Sequence, residues 1–224
     1  MNRNVLKIIA CVTMLVDHIG WLLFPEILWL RIVGRLSFPL FCFFIAEGLH
    51  YTKNYKKYLL RLFVFAIISQ IPYYFATNTV YKLNILFTFL LSILIVKLIE
   101  KLNKDKVVLC IYLAAIFLLI FASDFFSIFE YGLYGVLLVL LFYFLKNKNL
   151  KLSLASVLML CYSIFLTLVF ENSINNFIQC FAVLSLVLIY FYNGFKGKFN
   201  LKYLFYVFYP LHLFILVLIK FLII

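Results

Sequence analysis

Residues 5–47 read VLKIIACVTMLVDHIGWLLFPEILWLRIVGRLSFPLFCFFIAE. Two long apolar runs in this stretch are joined by a short turn at Pro25 and Glu26, a pattern that predicts a helical hairpin. Five ionisable residues lie inside or at the ends of these runs: Asp17, His18, Arg31, Arg35 and Glu47. An ionisable side chain at membrane depth costs roughly 2.5–3.5 kcal/mol on insertion scales, so such residues mark a functional site or its ion-pair partners. The stretch therefore predicts both a membrane fold and the position of a candidate active site.

The rest of the chain is as apolar as this hairpin. Hydrophobic residues make up 67% of the 224 residues, charged residues only 12%, and the mean hydropathy is +1.15. Soluble domains have roughly 45–50% apolar and about 25% charged residues. Continuous apolar runs favour helices over a β-barrel, whose strands would alternate polar and apolar residues. We predict an all-α membrane protein, a polytopic bundle that forms a single domain over residues 1–224.

A window of about 20 residues, the length of a membrane-spanning helix, locates the spans. It finds apolar runs at residues 5–24, 27–49, 58–76, 83–99, 106–122, 130–146, 151–170, 176–192 and 201–223. Every second break between them is basic, as at 53–61 and 196–202, whereas the other breaks, such as those at Glu26 and Glu171, are acidic or nearly neutral. By the positive-inside rule we predict about nine spans with a cytoplasmic N-terminus.

Charge and cysteine usage exclude several other classes. The formal charge of +12 comes mostly from Lys and Arg in the short breaks, which is typical of topology signals and not of a nucleic-acid surface. The five cysteines lack CxxC spacing and are expected to be buried apolar residues. Three histidines without paired spacing predict no metal site.

Helix geometry brings several polar residues to one depth. His18 lies about 9 Å below the outer end of the first run, and Arg35 lies about 12 Å into the second. Asp17 is the nearest partner for Arg35 or Arg31, an interaction that could also be purely structural. His212, in the last run, is either part of the site or a bundle histidine bonded to a carbonyl. The polar residues predicted to bind substrate at this level are Gln70, Asn84, Glu130 and Tyr131, so we expect a polar cavity that opens outward.

A second polar cluster surrounds the break after the hairpin. Its positive charge suits a phosphorylated cytoplasmic ligand. Glu47 could instead form an ion pair with Arg61 that is purely structural. The lysines at 97–106 and 196–202 are interpreted as topological charge only. The predicted donor-binding set is Arg31, Glu47, His50, Thr52, Lys57 and Arg61.

Four short blocks carry a family resemblance. They are DHIG at 17–20, GRLSFP at 34–39, AEG at 46–48 and YPLH at 209–212, and their order and spacing resemble those of the TraX family, named for the membrane protein that acetylates F-type pilin. The resemblance extends over residues 6–213, and within that range 110–129 and 146–180 match in little beyond hydrophobicity.

The resemblance implies a membrane acyltransferase of a bacterial cytoplasmic membrane. Such an enzyme would take an acetyl group from cytoplasmic acetyl-CoA and deliver it to a hydroxyl or amine of an extracytoplasmic acceptor, which could be a pilin-like protein, a peptide or an envelope glycan. In this hypothesis His18 is the general base, Arg35 stabilises the oxyanion, Asp17 orients one of them and His212 is a second proton carrier. The alternatives are a proton-coupled transporter and a noncatalytic membrane component of a conjugation or secretion system.

Overall fold

The computed structural model describes residues 1–102, 104–169, 174–199, 201 and 203–223, without the side chains of 125, 174 and 175. The described chain is helical and carries no strand beyond one isolated bridge between Leu83 and Phe129. The α-helices are α1 Arg3–Leu22, α2 Leu28–Gly34, α3 Ser37–Tyr51, α4 Tyr55–Thr77, α5 Ile85–Leu102, α6 Lys106–Phe125, α7 Gly132–Phe144, α8 Lys148–Val169, α9 Ile174–Ile178, α10 Ser185–Tyr190 and α11 Leu204–Ile223, with a 3-10 helix at Gln179–Leu184. The all-α prediction is confirmed.

Six described helical segments are long and apolar enough to span a membrane. They are α1, the α2–α3 pair over Leu28–Tyr51, α4, α6 over Lys106–Asp124, α8 and α11. The predicted count of nine is not confirmed, because α7 has only 13 residues and α5 ends in a charged segment with Lys97, Glu100 and Lys101. The cytoplasmic N-terminus stays a prediction, and the predicted topology residues Glu171 and Lys202 lie outside the described residues.

The second span of the predicted hairpin is divided. Pro39 has no backbone N–H, so it cannot bond to the carbonyl of Arg35 four residues earlier, and its ring crowds that carbonyl. The helix accordingly breaks between Gly34 and Ser37, whose hydroxyl donates to the Gly34 carbonyl at 2.7 Å. This break places Arg35 at a corner between α2 and α3.

Two glycines allow α1 and α2 to approach closely. A Cβ added at Gly20 would lie 2.7 Å from the Cβ of Leu30, and one added at Gly34 would overlap the Asp17 side chain. Asp17 is therefore packed directly against the backbone of α2. The helices α3 and α11 also pack on α1, and α4 packs on α11.

The connection before α11 folds back over the start of α1. Residues 193–199 and 201, called the strap below, receive three hydrogen bonds from α1: Arg3 N to Phe195 O at 2.8 Å, Asn4 Nδ2 to Phe199 O at 2.9 Å, and Lys7 Nζ to Leu201 O at 3.2 Å. The strap thereby brings Lys196 and Lys198 beside the N-terminal end of α1.

Candidate active site

A cavity of about 700 Å³ lies between α1, α3, α4, α11 and the strap. One end is lined by six cationic side chains: Arg3, Lys7, Lys53, Arg61, Lys196 and Lys198. Apolar side chains, among them Phe41, Phe44, Ile45 and Leu62, line the middle. Asp17, His18, Glu130 and Tyr131 line the other end. From Lys7 to His18 the cavity follows α1 over eleven residues, which is about 16 Å.

Asp17 forms a partly buried ion triad with Arg31 of α2 and with Arg35, which follows the end of α2. Its Oδ1 is 2.5 Å from Arg35 Nη2, and its Oδ2 is 2.9 Å from Arg31 Nη1. Arg31 Nη1 also donates to the Asp17 carbonyl at 2.9 Å. The predicted meeting of Asp17 with these arginines is confirmed. Both carboxylate oxygens are used within the hairpin, and the hydrogen bonds of the His18 ring go to the Met14 carbonyl and to His212 instead of to Asp17.

Arg35 lies behind the cavity wall. Its Nη1 donates to Tyr131 Oη at 2.8 Å and to Gln179 Oε1 at 3.2 Å, while its Nη2 is held by Asp17. Neither Arg35 nor Arg31 lines the cavity. This corrects two expectations: Arg35 does not reach the cavity directly, and Arg31 belongs to the ion triad rather than to a donor-binding cluster.

His18 and His212 form a hydrogen-bonded pair. His18 Nδ1 is 3.0 Å from the Met14 carbonyl and 3.0 Å from His212 Nε2, and His212 Nδ1 is 2.6 Å from the Phe208 carbonyl. A carbonyl can only accept, so its partner nitrogen on each ring is assigned the hydrogen. The single His18 Nδ1–H is then shared between two acceptors, the Met14 carbonyl and His212 Nε2, which leaves His18 Nε2 with a free lone pair.

The histidine pair is held in an aromatic setting. The His18 ring lies 5.8 Å from that of Trp21 and 6.4 Å from that of Tyr209, measured between centroids. Both histidines are buried, and of the two only His18 lines the cavity. His18 is therefore placed as a base whose tautomer is fixed by the Met14 carbonyl, and His212 lies behind it as a second acceptor for Nδ1–H.

Glu130 and Tyr131 lie in the loop between α6 and α7. Thr88 Oγ1 donates to the Glu130 carbonyl at 2.6 Å, and Leu83 N donates to the Ile128 carbonyl at 2.7 Å, so the loop is tied to the start of α5. Burial, reinforced by the nearby Asp17 carboxylate, raises the pKa of Glu130 to about 7. Both residues line the same cavity as His18, and their role in binding substrate stays a prediction.

Gln70 and Asn84 connect α4 to the start of α5 instead of facing the cavity. Asn84 Nδ2 donates to Gln70 Oε1 at 2.7 Å and to the Ala66 carbonyl at 2.8 Å, and Gln70 Nε2 donates to the Lys82 carbonyl at 2.6 Å. Their amides satisfy each other and the backbone. The predicted substrate contact through these two residues is corrected to a structural link between helices.

The predicted donor-binding set is only partly assembled. Thr52 and Arg61 line the cavity, whereas the exposed Lys57 does not. Glu47 accepts from Tyr192 Oη at 3.0 Å and lies 3.5 Å from Arg3, not beside Arg61. His50 lies outside the cavity, stacked on Tyr143 with 4.1 Å between centroids.

Sequence reasoning missed five of the six cations at this end: Arg3, Lys7, Lys53, Lys196 and Lys198. The interpretation of Lys196 and Lys198 as topological charge only is corrected, because the strap carries them into the cavity wall. Gly194 and Gly197, at φ values of 79° and 82°, allow the turns of the strap. Glycines beside lysines signal a turn in the sequence, but they do not reveal which helix it covers.

No three His, Cys, Asp or Glu side chains come together as a metal site would require, within the part of the chain that the structure describes. The absence of a metal stays a prediction.

Apolar helices of spanning length, with two buried histidines and a partly buried ion triad among them, define a multi-pass membrane protein. The chain belongs to the TraX family, whose model, described as TraX protein, matches residues 2–220. The resemblance seen in the four sequence blocks is thus confirmed.

Individual relatives agree with this assignment. The chain is 33% identical to a probable fimbrial assembly protein FimC of serogroup H1 from Dichelobacter nodosus, over 95% of this chain and 96% of that protein. It is 27% identical to an uncharacterized protein of Rickettsia prowazekii, over 82% of this chain and 73% of that protein. Protein TraX of Escherichia coli K12 is 35% identical over 39% of this chain and 36% of its own length. No solved structure matches.

Proposed function

We propose that this protein is a membrane-embedded acyltransferase that transfers an acetyl group from cytoplasmic acetyl-CoA to a hydroxyl or amine of an extracytoplasmic acceptor. One observation carries the proposal: a single cavity joins a cluster of six cations to a histidine whose Nε2 is free to accept a proton. The cations suit a phosphate-bearing donor, and the histidine suits the transfer step.

The cationic end fits the phosphates of such a donor. Arg3 Nε and Arg61 Nε are buried and have no hydrogen-bond partner among the described residues. A buried guanidinium N–H without an acceptor is costly, and phosphate oxygens are the acceptors that arginine binds best. When bound, the donor would supply the activated thioester. The apolar middle of the cavity suits the long thin arm that separates its phosphates from that thioester.

The histidine end fits general-base catalysis. His18 Nε2 removes the proton of the acceptor O–H or N–H while the acceptor forms its bond to the thioester carbon. His212 Nε2, hydrogen-bonded to His18 Nδ1–H, stabilises the imidazolium that results. As the C–S bond breaks, His18 returns the proton to the departing thiolate, so the products are the acylated acceptor and a free thiol.

The acceptor is proposed to be a surface protein of the pilin type, with a peptide or an envelope glycan as the other candidates. The name of the Dichelobacter nodosus relative, a probable fimbrial assembly protein, supports a protein acceptor. The place of action is proposed to be the bacterial cytoplasmic membrane, with the six cations on its cytoplasmic side and His18 toward its outer side.

Thiol release tests the proposal directly. The purified protein in liposomes is incubated with acetyl-CoA and with envelope extract from a strain that lacks the gene, and free thiol is measured. We expect protein-dependent thiol release without any ion gradient, together with a mass increase of one acetyl group in an envelope component. Absence of thiol release, combined with uptake driven by a pH gradient, would instead identify a proton-coupled transporter.

The strap lysines provide a further prediction. Replacing Lys196 and Lys198 together with alanine removes two of the six cations, so the KM for acetyl-CoA should rise roughly 10- to 100-fold, as expected for lost charge-assisted hydrogen bonds. The turnover number should change little, because these residues lie at the opposite end from His18. Steady-state kinetics across donor concentrations measures both constants.

Lys57→Ala is the matched control, because Lys57 is an exposed cation of the same region that does not line the cavity. Its KM should stay within about twofold of wild type, the change expected when an exposed charge is removed. Equal changes in the strap variant and in Lys57→Ala would mean that general surface charge, and not the cavity, attracts the donor.

A further inference from the structure

We infer that the Tyr131 hydroxyl, polarised by Arg35, is the hydrogen-bond donor to the carbonyl oxygen on which negative charge develops. This inference rests on the proposed acyl transfer and deepens it. It assigns the oxyanion contact to a residue that lines the cavity, and it makes Arg35 a positioning residue behind it.

The hydrogen-bond direction carries the first step. Arg35 Nη1 lies 2.8 Å from Tyr131 Oη, and a guanidinium can only donate, so the phenolic oxygen is the acceptor. The proton of the hydroxyl is thereby left for another acceptor. Arg35 is the one hydrogen-bond partner of this hydroxyl among the described residues. Because Tyr131 lines the cavity, a substrate oxygen can take that proton as a hydrogen bond.

Electrostatics supplies the second step. A hydroxyl that accepts a hydrogen bond from a cation becomes a stronger donor, since hydrogen bonds in a chain polarise one another. Arg35 itself is held by Asp17 and Gln179 outside the cavity wall. Tyr131 therefore brings the effect of the partly buried Arg35 guanidinium to the reacting carbonyl without moving the charge into the cavity.

Backbone geometry supplies the third step. Tyr131 has φ 59°, in the left-handed region that residues other than glycine rarely adopt. Its ring stacks on Phe38 with 3.9 Å between centroids and 10° between planes. Strain of this kind persists only where surrounding contacts maintain it, and it clusters at functional positions. The hydroxyl is thus aimed by a strained backbone and a stacked ring together.

During transfer the acceptor forms its bond to the carbonyl carbon, and the carbonyl π electrons move onto oxygen. Tyr131 O–H hydrogen-bonds to that oxygen and keeps its own proton. His18 Nε2 holds the acceptor's proton until the C–S bond breaks and the thiolate takes it. The protein therefore returns to its starting protonation state after each turnover.

Tyr131→Phe tests the inference, because it keeps the stacked ring and removes only the hydroxyl. We expect turnover to fall about 100- to 1,000-fold, the range for losing one oxyanion donor. Binding of a nonhydrolysable thioether analogue of acetyl-CoA, measured by calorimetry, should stay near the wild-type affinity. Tyr134→Phe is the matched control, since Tyr134 neighbours Tyr131 but does not line the cavity, and its turnover should be unchanged.

A spectroscopic measurement separates a catalytic role from a structural one. With 3,5-difluorotyrosine incorporated at position 131, binding of a carbonyl-containing donor analogue should shift the fluorine resonance, and Arg35→Gln should reduce that shift. Wild-type turnover in Tyr131→Phe, while His18→Ala is inactive, would overturn this inference and leave the proposed function standing. Absence of thiol release by the wild-type protein would overturn both.

Discussion

Purified His18→Ala protein should lose acyl transfer by about 10²–10⁴-fold, the contribution typical of a general base. His18 Nε2 is the free ring nitrogen at the end of the cavity opposite the six cations, and alanine leaves no group there to take the acceptor's proton. Affinity for a thioether analogue of acetyl-CoA should stay near wild type, because the cationic end lies about 16 Å away along α1. Thiol release and calorimetry measure the two quantities.

Two other histidine variants sharpen this prediction. His50→Ala is the control, since His50 is exposed and stacks on Tyr143 outside the cavity, and its activity should match wild type. His212→Ala should reduce turnover less than His18→Ala does, because it removes one of the two acceptors of His18 Nδ1–H but leaves the Met14 carbonyl and His18 Nε2 in place. Full activity in purified His18→Ala protein would show that the base is another group.

Asp17→Asn should strongly destabilise the hairpin, costing about 3–5 kcal/mol of unfolding free energy. The substitution removes the carboxylate that forms ion pairs with both Arg31 and Arg35, whose nitrogens lie 2.9 Å and 2.5 Å from its oxygens. Two partly buried guanidiniums are then left without a counter-charge. Thermal unfolding in detergent and equilibrium unfolding in mixed micelles measure the loss.

Two further variants test whether the triad is the cause. Glu26→Gln removes an exposed carboxylate from the hairpin turn and should leave unfolding unchanged. Adding Arg31→Met to Asp17→Asn should recover part of the lost stability, because it removes one of the two uncompensated cations. A double variant that is less stable than Asp17→Asn alone would contradict the account of the triad as a charge balance.

Gly34 gives this region its sequence signature. The block GRLSFP begins with this glycine because a Cβ there would overlap Asp17, and it continues with Arg35, the partner of that carboxylate. A glycine and an arginine that look unrelated in the sequence therefore both contact the same carboxylate, that of Asp17. Such local pairings within a hairpin are accessible to sequence reasoning, because chain connectivity brings the two helices together.

Longer-range contacts are less accessible. The pairing of His18 with His212 joins residues 194 positions apart, and the strap brings Lys196 to the start of α1 across a similar separation. Depth along a helix can be counted from sequence, but the direction in which a side chain points around the helix depends on its neighbours. Gln70 and Asn84 share the predicted level of the site and still bond to each other instead of facing the cavity.

The amino-acid sequence alone determined that this is an all-α membrane protein with charge buried in its first hairpin, because a bilayer offers no water to unpaired backbone groups and so permits only helices along these apolar runs. It also determined the family, through four spaced blocks. Only the tertiary structure decided that Tyr131 and not Arg35 lines the cavity, and that the strap completes its cationic end. The physical reason is that helix rotation and the path of a connecting loop follow from packing between distant segments, which no local pattern encodes.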